Sequence, residues 1–434
     1  MSAEDEVVGV CRDLLRIDTQ NYGDGSGPGE RAAAEHAAAL LSDVGLEPEL
    51  FESAPGRANV VVRIPGRDRD RGALVLHGHL DVVPADASEW QVDPLSGEER
   101  DGFLWGRGAV DMKDMDAMML AVVRERARTG RAPARDVVLA FFADEEAGGE
   151  HGAGWAVEHR PEIFEGATEA VSEVGGFSVD VAGQRAYLLQ VAEKGLAWLR
   201  LVARGTAGHG SFVNEDNAVT HLAEAVARIG RHRWPLALTP ATEAFLRGVA
   251  DLTGLRLDLE DPGTVDTLLA ALGPASRFVG TTVRHSANPT QLAAGYKANV
   301  VPARAEAVVD LRFLPGREEE ARAEVARLAG ERVALEDVYR NEALEAPIEA
   351  PLVSAMTEAL LAEDPQAVVL PYMMSGGTDN KHLARLGITG YGFAPLRLPA
   401  GVDFAAMFHG VDERVPVEAL RFGVRVLDRF LDEC

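Results

Sequence analysis

Seven side chains in the 434-residue chain have the types and spacing of a hydrolytic metal site: His79, Asp81, Asp111, Glu145, Glu146, Glu173 and, far downstream, His409. Imidazole and carboxylate together suit zinc, with cobalt or manganese as substitutes. Two ions a few ångströms apart need one carboxylate that bridges them, and Asp111, alone in a glycine-flanked loop, is the best placed. Asp81 follows His79 by two residues, so on an extended strand end both side chains point the same way. It can then hold the imidazole in its metal-binding tautomer. An isolated histidine would more often be a hydrogen-bonded core residue; the acid at i+2 and the buried strand before it favour the ligand reading.

Glu145 and Glu146 are adjacent, and elsewhere would read as a solvated surface pair. Directly after an apolar run they stand at the mouth of a buried sheet, where successive side chains diverge. One can bind metal while the other faces water that the metal acidifies. A carboxylate there takes the proton and returns it to a leaving nitrogen.

Elements of a particular kind must carry these residues. Ala73–Leu76, bounded by Gly72 and Gly78, reads as a buried strand running into His77, His79 and Asp81. Val137–Ala143 is a second such strand and ends in Asp144, Glu145 and Glu146; Ala170 and Val171 lead in the same way to Glu173. Between them, Met115, Met118, Met119, Val122 and Val123 mark an amphipathic helix over Asp114–Arg126, with Asp111 just ahead of it. A helix over Glu30–Leu41 and strands over Leu46–Phe51 and Asn59–Ile64 complete an alternation that predicts an α/β domain with a largely parallel sheet. Ligands bind outside the carboxyl ends of such strands, which is where the histidine and acid clusters fall.

The rhythm changes near Glu193. A strand over Ala197–Val202, a glycine-rich turn Gly205–Ser211, a helix over Ala218–Ile229, a poorly readable stretch around Pro235–Pro289, a strand over Ala305–Leu311, a helix over Glu318–Leu328 and a strand over Val333–Tyr339 follow. A β-α-β-β-α-β order predicts a small α+β, ferredoxin-like sandwich inserted into the larger domain. The α/β character resumes with a helix to Leu361, a strand Ala367–Leu370 and a terminal helix Val417–Leu431. The expected division is therefore 1–193 and 342–434 for the catalytic domain and 194–341 for the insert. A chain of this length also exceeds the size at which one core stops growing.

A formal net charge of −26 repels phosphate backbones and anionic lipid, which excludes nucleic acid and membrane surfaces as partners. An anionic small-molecule substrate then needs local cations. Only Cys11 and Cys434 are present, which argues against a disulfide framework. The acidic start lacks a basic signal region, no apolar run reaches membrane-spanning length, and cytoplasmic residence is the expectation. There is no internal repeat, and the one biased tract is the glycine-rich loop Gly23–Gly29.

His77–Pro84 (HGHLDVVP), Gly106–Asp114 (GRGAVDMKD), Ala143–Gly148 (ADEEAG), Ser172–Gly176 (SEVGG), Ala207–Ser211 (AGHGS) and Ser375–Asp379 (SGGTD), in this order over nearly the whole chain, closely resemble the M20 metallopeptidase family. That family includes aminoacylases, carboxypeptidases, dipeptidases and deacylases of amino acids. The resemblance implies a zinc-peptidase-like catalytic domain, one zinc on His79, Asp111 and Glu173, and a second on Asp111, Glu146 and His409. It implies Glu145 as general base, Asp81 as the acid that orients His79, and an inserted lid used for dimerisation. His209 would stabilise the oxyanion of a second chain's site across that dimer. Asn299 and Arg312 match substrate-binding positions on the lid, and the loop at Gly376 and Gly377 can add N–H donors.

Taken alone, Arg312 reads equally well as an exposed strand residue paired with a nearby acid; as a guanidinium it can grip a carboxylate bidentately. Asp412 departs from the asparagine frequent after the last histidine. The long stretch His232–His285 is more like the aminoacylase and carboxypeptidase-S branches than the short-lidded deacylases. The function expected is hydrolysis of an amide or peptide bond next to a free carboxylate, in an N-acyl amino acid or dipeptide. The alternatives are a ureido- or carbamoyl-amino acid amidohydrolase and an inactive dimeric scaffold. The scaffold would have lost a ligand or the base, and none is missing.

Overall fold

The computed structural model describes residues Met1–Cys434. A ten-stranded sheet carries the larger part of the chain, with the path 49–54, 57–64, 137–142, 73–79, 167–172, 389–392, 184–193, 344–345. Its middle four strands, 137–142, 73–79, 167–172 and 389–392, are parallel. Antiparallel strands 57–64 and 49–54 extend one edge. On the other side, 184–193 pairs parallel with 368–374 and antiparallel with 177–181 and 344–345.

Strand 137–142 and the first four residues of strand 73–79 are apolar at every position because both faces of the sheet are covered there. Leu74, Leu76, Leu139 and Phe141 face a layer of helices that includes 3–15, 113–129 and 417–433. Val75, Val138, Ala140 and Phe142 face Ala153, Val157 and Leu383 on the opposite side. The helix Lys113–Thr129 lies so close to the strand Ala73–His79 that a Cβ at Gly78 would stand 2.2 Å from Asp116 Oδ1. Glycine at 78 thus sets the approach of the helix that follows Asp111 to the strand that carries His79. No helix is long and apolar enough to cross a membrane.

The smaller sheet is antiparallel, in the order 286–294, 304–313, 195–204, 333–341. Helices Ala218–Arg231 and Glu318–Ala329 cover one face, and Leu199, Leu201, Leu222, Ile229, Val309, Leu311 and Val325 form its own core. The β-α-β-β-α-β order is complete only with the strand Ser286–Ala294, which the sequence conceals. It is an edge strand, mostly exposed, with a register shift beside Pro289, so it shows no alternation and carries a residue that argues against a strand.

Most of the stretch between Arg231 and Ser286 turns away from that core, although Trp234 packs against it. Helix Pro240–Thr253 puts Phe245, Leu246 and Val249, and helix Pro262–Ala270 puts Val265 and Leu268, into the core of the larger sheet. Gly248 meets Leu370 so closely that a Cβ would lie 2.4 Å from Leu370 Cδ2. Residues 194–341, expected as one insert, therefore contribute to two cores. The reason is the apolar helical face, which is matched by strands 184–193 and 368–374 rather than by the small sandwich. Truncating Phe245 to alanine should cost the larger domain about 3–5 kcal/mol in denaturant unfolding. A loss below about 1 kcal/mol would place helix 240–253 outside that core.

Candidate metal centre

The parallel strands deliver the site from their carboxyl ends. His79 is the last residue of strand 73–79, Glu145 and Glu146 open a short turn after 137–142, and Glu173 follows 167–172. Four of the six non-glycine residues with left-handed backbone lie in these segments or beside the last histidine: Asp144 (φ 69°), Val174 (φ 57°), His409 (φ 57°) and Asp412 (φ 61°). Such conformations cost of order 1 kcal/mol or more each and persist where surrounding contacts dictate them. Aspartate tolerates this region as asparagine does, so Asp412 fits its place; its carboxylate accepts from Gln91 N at 2.8 Å and Nε2 at 2.7 Å.

Asp111 stands in the middle. Its Oδ1 is 3.2 Å from His79 Nε2, and its Oδ2 is 3.2 Å from His409 Nε2. Each imidazole has a second acid, Glu173 Oε2 at 3.7 Å from His79 and Glu146 Oε2 at 3.2 Å from His409. The two oxygens of one carboxylate thus face two separate histidine and glutamate sets. Ligand atoms of His79, Glu145 and Glu173 also lie within 4.8 Å of one another, as do those of His79, Asp111 and Glu146.

Burial and Asp111 push Glu146 up to about 7 and Glu173 well above the usual carboxylate range. Asp111 moves the other way: burial opposes ionisation, but hydrogen bonds from the two imidazoles hold its carboxyl well below normal. Bonds to Asp111 and Glu146 push His409 up to about 10. Glu146 Oε1 is buried without a hydrogen-bond partner. Converging carboxylates and imidazoles, one carboxylate oxygen still unsatisfied, form a donor set that fits divalent cations of the zinc, cobalt or manganese kind.

Asp81 acts differently from the expectation. The Nδ1 of His79 donates to the backbone carbonyl of Asp81 at 2.9 Å, while the Asp81 carboxylate stands 3.6 Å away. That carboxylate is occupied by the amides of Glu145 and Glu146, both at 3.1 Å, and by Asn21 Nδ2 at 2.9 Å. Fully buried, Asp81 ties the turn bearing the two glutamates to the end of the histidine strand.

Several supporting residues escaped the sequence reading. Asn21 also donates to Asp144 at 3.1 Å and accepts from Arg57 at 3.1 Å, and Arg57 pairs with buried Glu30. Glu413 accepts from Arg107 Nη1 at 2.7 Å and from the amides of Gly108 and Val110 at 3.1 and 2.7 Å. It thereby fastens the loop of His409 to the loop of Asp111. Lys381 Nζ lies 3.3 Å from Glu145 Oε1. The only sequence signal for Glu413 was its place four residues after His409, and for Lys381 its place two residues after the SGGTD segment.

Five expected residues are not gathered into this cluster. His209 is exposed and bonds to Ser211 Oγ at 2.7 Å, and Asn299, also exposed, accepts from Gly210 N through its carbonyl at 2.9 Å. Arg312 is bound by Asp310 two residues earlier on its own strand, at 2.8 and 3.2 Å. Gly377 is exposed. Gly376 is half-buried in the same loop, which is held by Thr378 donating to Glu193 at 3.0 Å through its amide and at 2.7 Å through its hydroxyl.

Residues 75–433 match the model of peptidase family M20/M25/M40, and the chain belongs to that family. It is a hydrolase acting on C–N bonds, as the expected class required. It is 27% identical over 436 residues to aminoacylase-1 of Homo sapiens, covering 98% of this chain and 94% of that one. It is 28% identical over 393 residues to the N-fatty-acyl-amino acid synthase/hydrolase PM20D1.1 of Danio rerio, covering 86% of this chain and 75% of that one. The fold matches that of the M20 family metallo-carboxypeptidase Sso-CP2 from Sulfolobus solfataricus with a TM-score of 0.73 at 19% identity, over 99% of both chains. Enzymes of this family bind a dinuclear metal site.

Replacing Glu413 with alanine leaves buried Arg107 and two amides without their acceptor. The expected cost is about 3–5 kcal/mol in unfolding experiments, together with a weaker hold on metal. A change below about 1 kcal/mol with metal retained would contradict the fastening role.

Proposed function

We propose that the chain is a dinuclear-metal amidohydrolase that cuts an amide or peptide bond next to a free carboxylate, with Glu145 as general base. The observation that carries this reading is the division of Asp111, one oxygen toward His79 and Glu173 and the other toward His409 and Glu146. His79, Asp111 and Glu173 would hold one ion, and Asp111, Glu146 and His409 the other, with zinc the natural choice. When bound, the ions supply positive charge that polarises the scissile carbonyl and acidifies water.

The rest is the work of the chain. Glu145 is left out of both proposed ligand sets, yet its carboxylate lies within 4.8 Å of the ligand atoms of His79 and Glu173, where it takes the proton from attacking water and delivers it to the leaving nitrogen. Asp81 holds the Glu145 and Glu146 amides in place, so the base and its neighbouring ligand move together. Asp310 uses two of the five guanidinium donors of Arg312 and fixes its plane. Three donors remain for a substrate carboxylate.

His209 and Asn299 belong, in this reading, to the site of a second copy. Both are exposed, and Phe212 (73%), Val213 (93%) and Tyr296 (84%) in the same loops are exposed with them, as an apolar contact between lids requires. N-acyl amino acids and dipeptides are the proposed substrates, and the names of the aminoacylase, the N-fatty-acyl-amino acid hydrolase and the carboxypeptidase point the same way.

A panel of N-acyl amino acids, dipeptides and carbamoyl amino acids, offered to protein loaded with zinc, cobalt or manganese, should show turnover of the first two groups. Ammonia from carbamoyl compounds alone would overturn the substrate assignment. Complete chelation should abolish activity and re-addition of metal restore it; activity that survives metal removal refutes the mechanism. Glu145→Gln should lower kcat by about 10²–10⁴-fold with metal content unchanged. Loss of metal instead would make Glu145 a ligand.

A further inference from the structure

Lys381 is the only lysine or arginine paired with a carboxylate of the metal cluster or its base. Its Nζ is 3.3 Å from Glu145 Oε1, and its side chain is 8% exposed. The residues on either side of it are anchored to the two segments that matter most. Asn380 Oδ1 accepts from His77 Nε2 at 3.0 Å, on the strand that ends in His79. His382 Nε2 donates to the carbonyl of Gly148 at 2.9 Å, at the end of the turn that begins with Glu145. The backbone of Lys381 is thus pinned between the ligand strand and the turn of the base, and its ammonium has little freedom to leave Glu145.

The pairing bears on a choice that the site leaves open. A ligand atom of Glu145 lies within 4.8 Å of those of His79 and Glu173, so this glutamate is itself within reach of an ion held there. A flexible carboxylate beside a divalent ion is drawn into its coordination shell, and a ligating glutamate no longer serves as a free base. An ammonium on Oε1 opposes that movement by its charge and by its hydrogen bond.

We propose that Lys381 is a positioning residue that keeps Glu145 out of the metal's coordination shell, holding Oε1 so that the other oxygen stays free for the proton. This rests on the proposed role of Glu145 as base. The buried carboxylate of Asp379, two residues before Lys381, is the competing acid on the same loop, but it makes no hydrogen bond, and the ion pair of Lys381 is with Glu145. Glu193, the other acid behind the loop, is engaged by Thr378 and Gln190.

The test compares Lys381→Met, Lys381→Arg, Glu145→Gln and the double variant Lys381→Met/Glu145→Gln as full-length, metal-loaded protein. Zinc affinity is read by competition with a chelating dye, and kcat and KM are read on a substrate that the wild type turns over. Lys381→Met should lower kcat about 10²-fold with KM within about twofold, because a misplaced base costs rate rather than binding. It should bind zinc more tightly than wild type, and Lys381→Arg should recover most of kcat. Adding Lys381→Met to Glu145→Gln should change neither rate nor zinc affinity further.

Weaker zinc binding in Lys381→Met, a raised KM with kcat intact, or an arginine variant no better than methionine would each overturn the proposal. If the wild type turns over none of the panel, the assigned function fails. The zinc comparison still decides this inference: tightening that depends on Glu145 supports it, and its absence overturns it.

Discussion

One carboxylate faces two histidine and glutamate pairs, and much of the architecture serves that arrangement. Asp111 can divide its oxygens between His79 and His409 only if a strand end, two loops and a segment near the carboxyl terminus meet within hydrogen-bonding distance. The parallel sheet solves half of the problem by ending three strands side by side at His79, Glu145 and Glu173. Glycine at position 78 solves another part, since it lets the helix after Asp111 press directly on the histidine strand. His409 arrives from outside the sheet, and Glu413 holds it there through Arg107 and two amides of the loop before Asp111.

The arrangement carries an electrostatic cost. Acids crowded out of water resist ionisation, as the upward shifts of Glu146 and Glu173 show. Left-handed backbone at Asp144, Val174 and His409 adds conformational cost at the same place. Buried pairs around the site, Arg57 with Glu30 and Arg107 with Glu413, keep the surrounding loops from relaxing. Divalent ions are what such a crowd of donors can exchange that cost for.

The parts of this design that repeat along the chain were legible in the sequence. Continuous apolar runs gave the buried strands, the 3.6-residue spacing gave helix 113–129, and the placement of acids after strands pointed to the acid and histidine cluster that the fold brings together. The strand 286–294 was hidden because an exposed edge has no alternation to read and Pro289 interrupts it. The destination of helix 240–253 was hidden because an apolar face does not say which sheet it meets. Glu413, Asn21 and Lys381 were missed for a further reason: each is a single polar residue whose partner lies 60 to 306 positions away, and no local pattern encodes such a pairing. Asp81 was recognised, but its carboxylate turns to the amides of residues 145 and 146, since those donors come from a segment the spacing of His79 and Asp81 cannot reveal.

The central claim is that Asp111 joins two ions in one site. Its most direct test is the number of divalent ions retained per chain, measured by elemental analysis of zinc-reconstituted protein after removal of free metal, for wild type and for Asp111→Ala. The account predicts two ions per chain in the wild type and fewer than two in the variant. One ion per chain in the wild type, or two retained without Asp111, would contradict it.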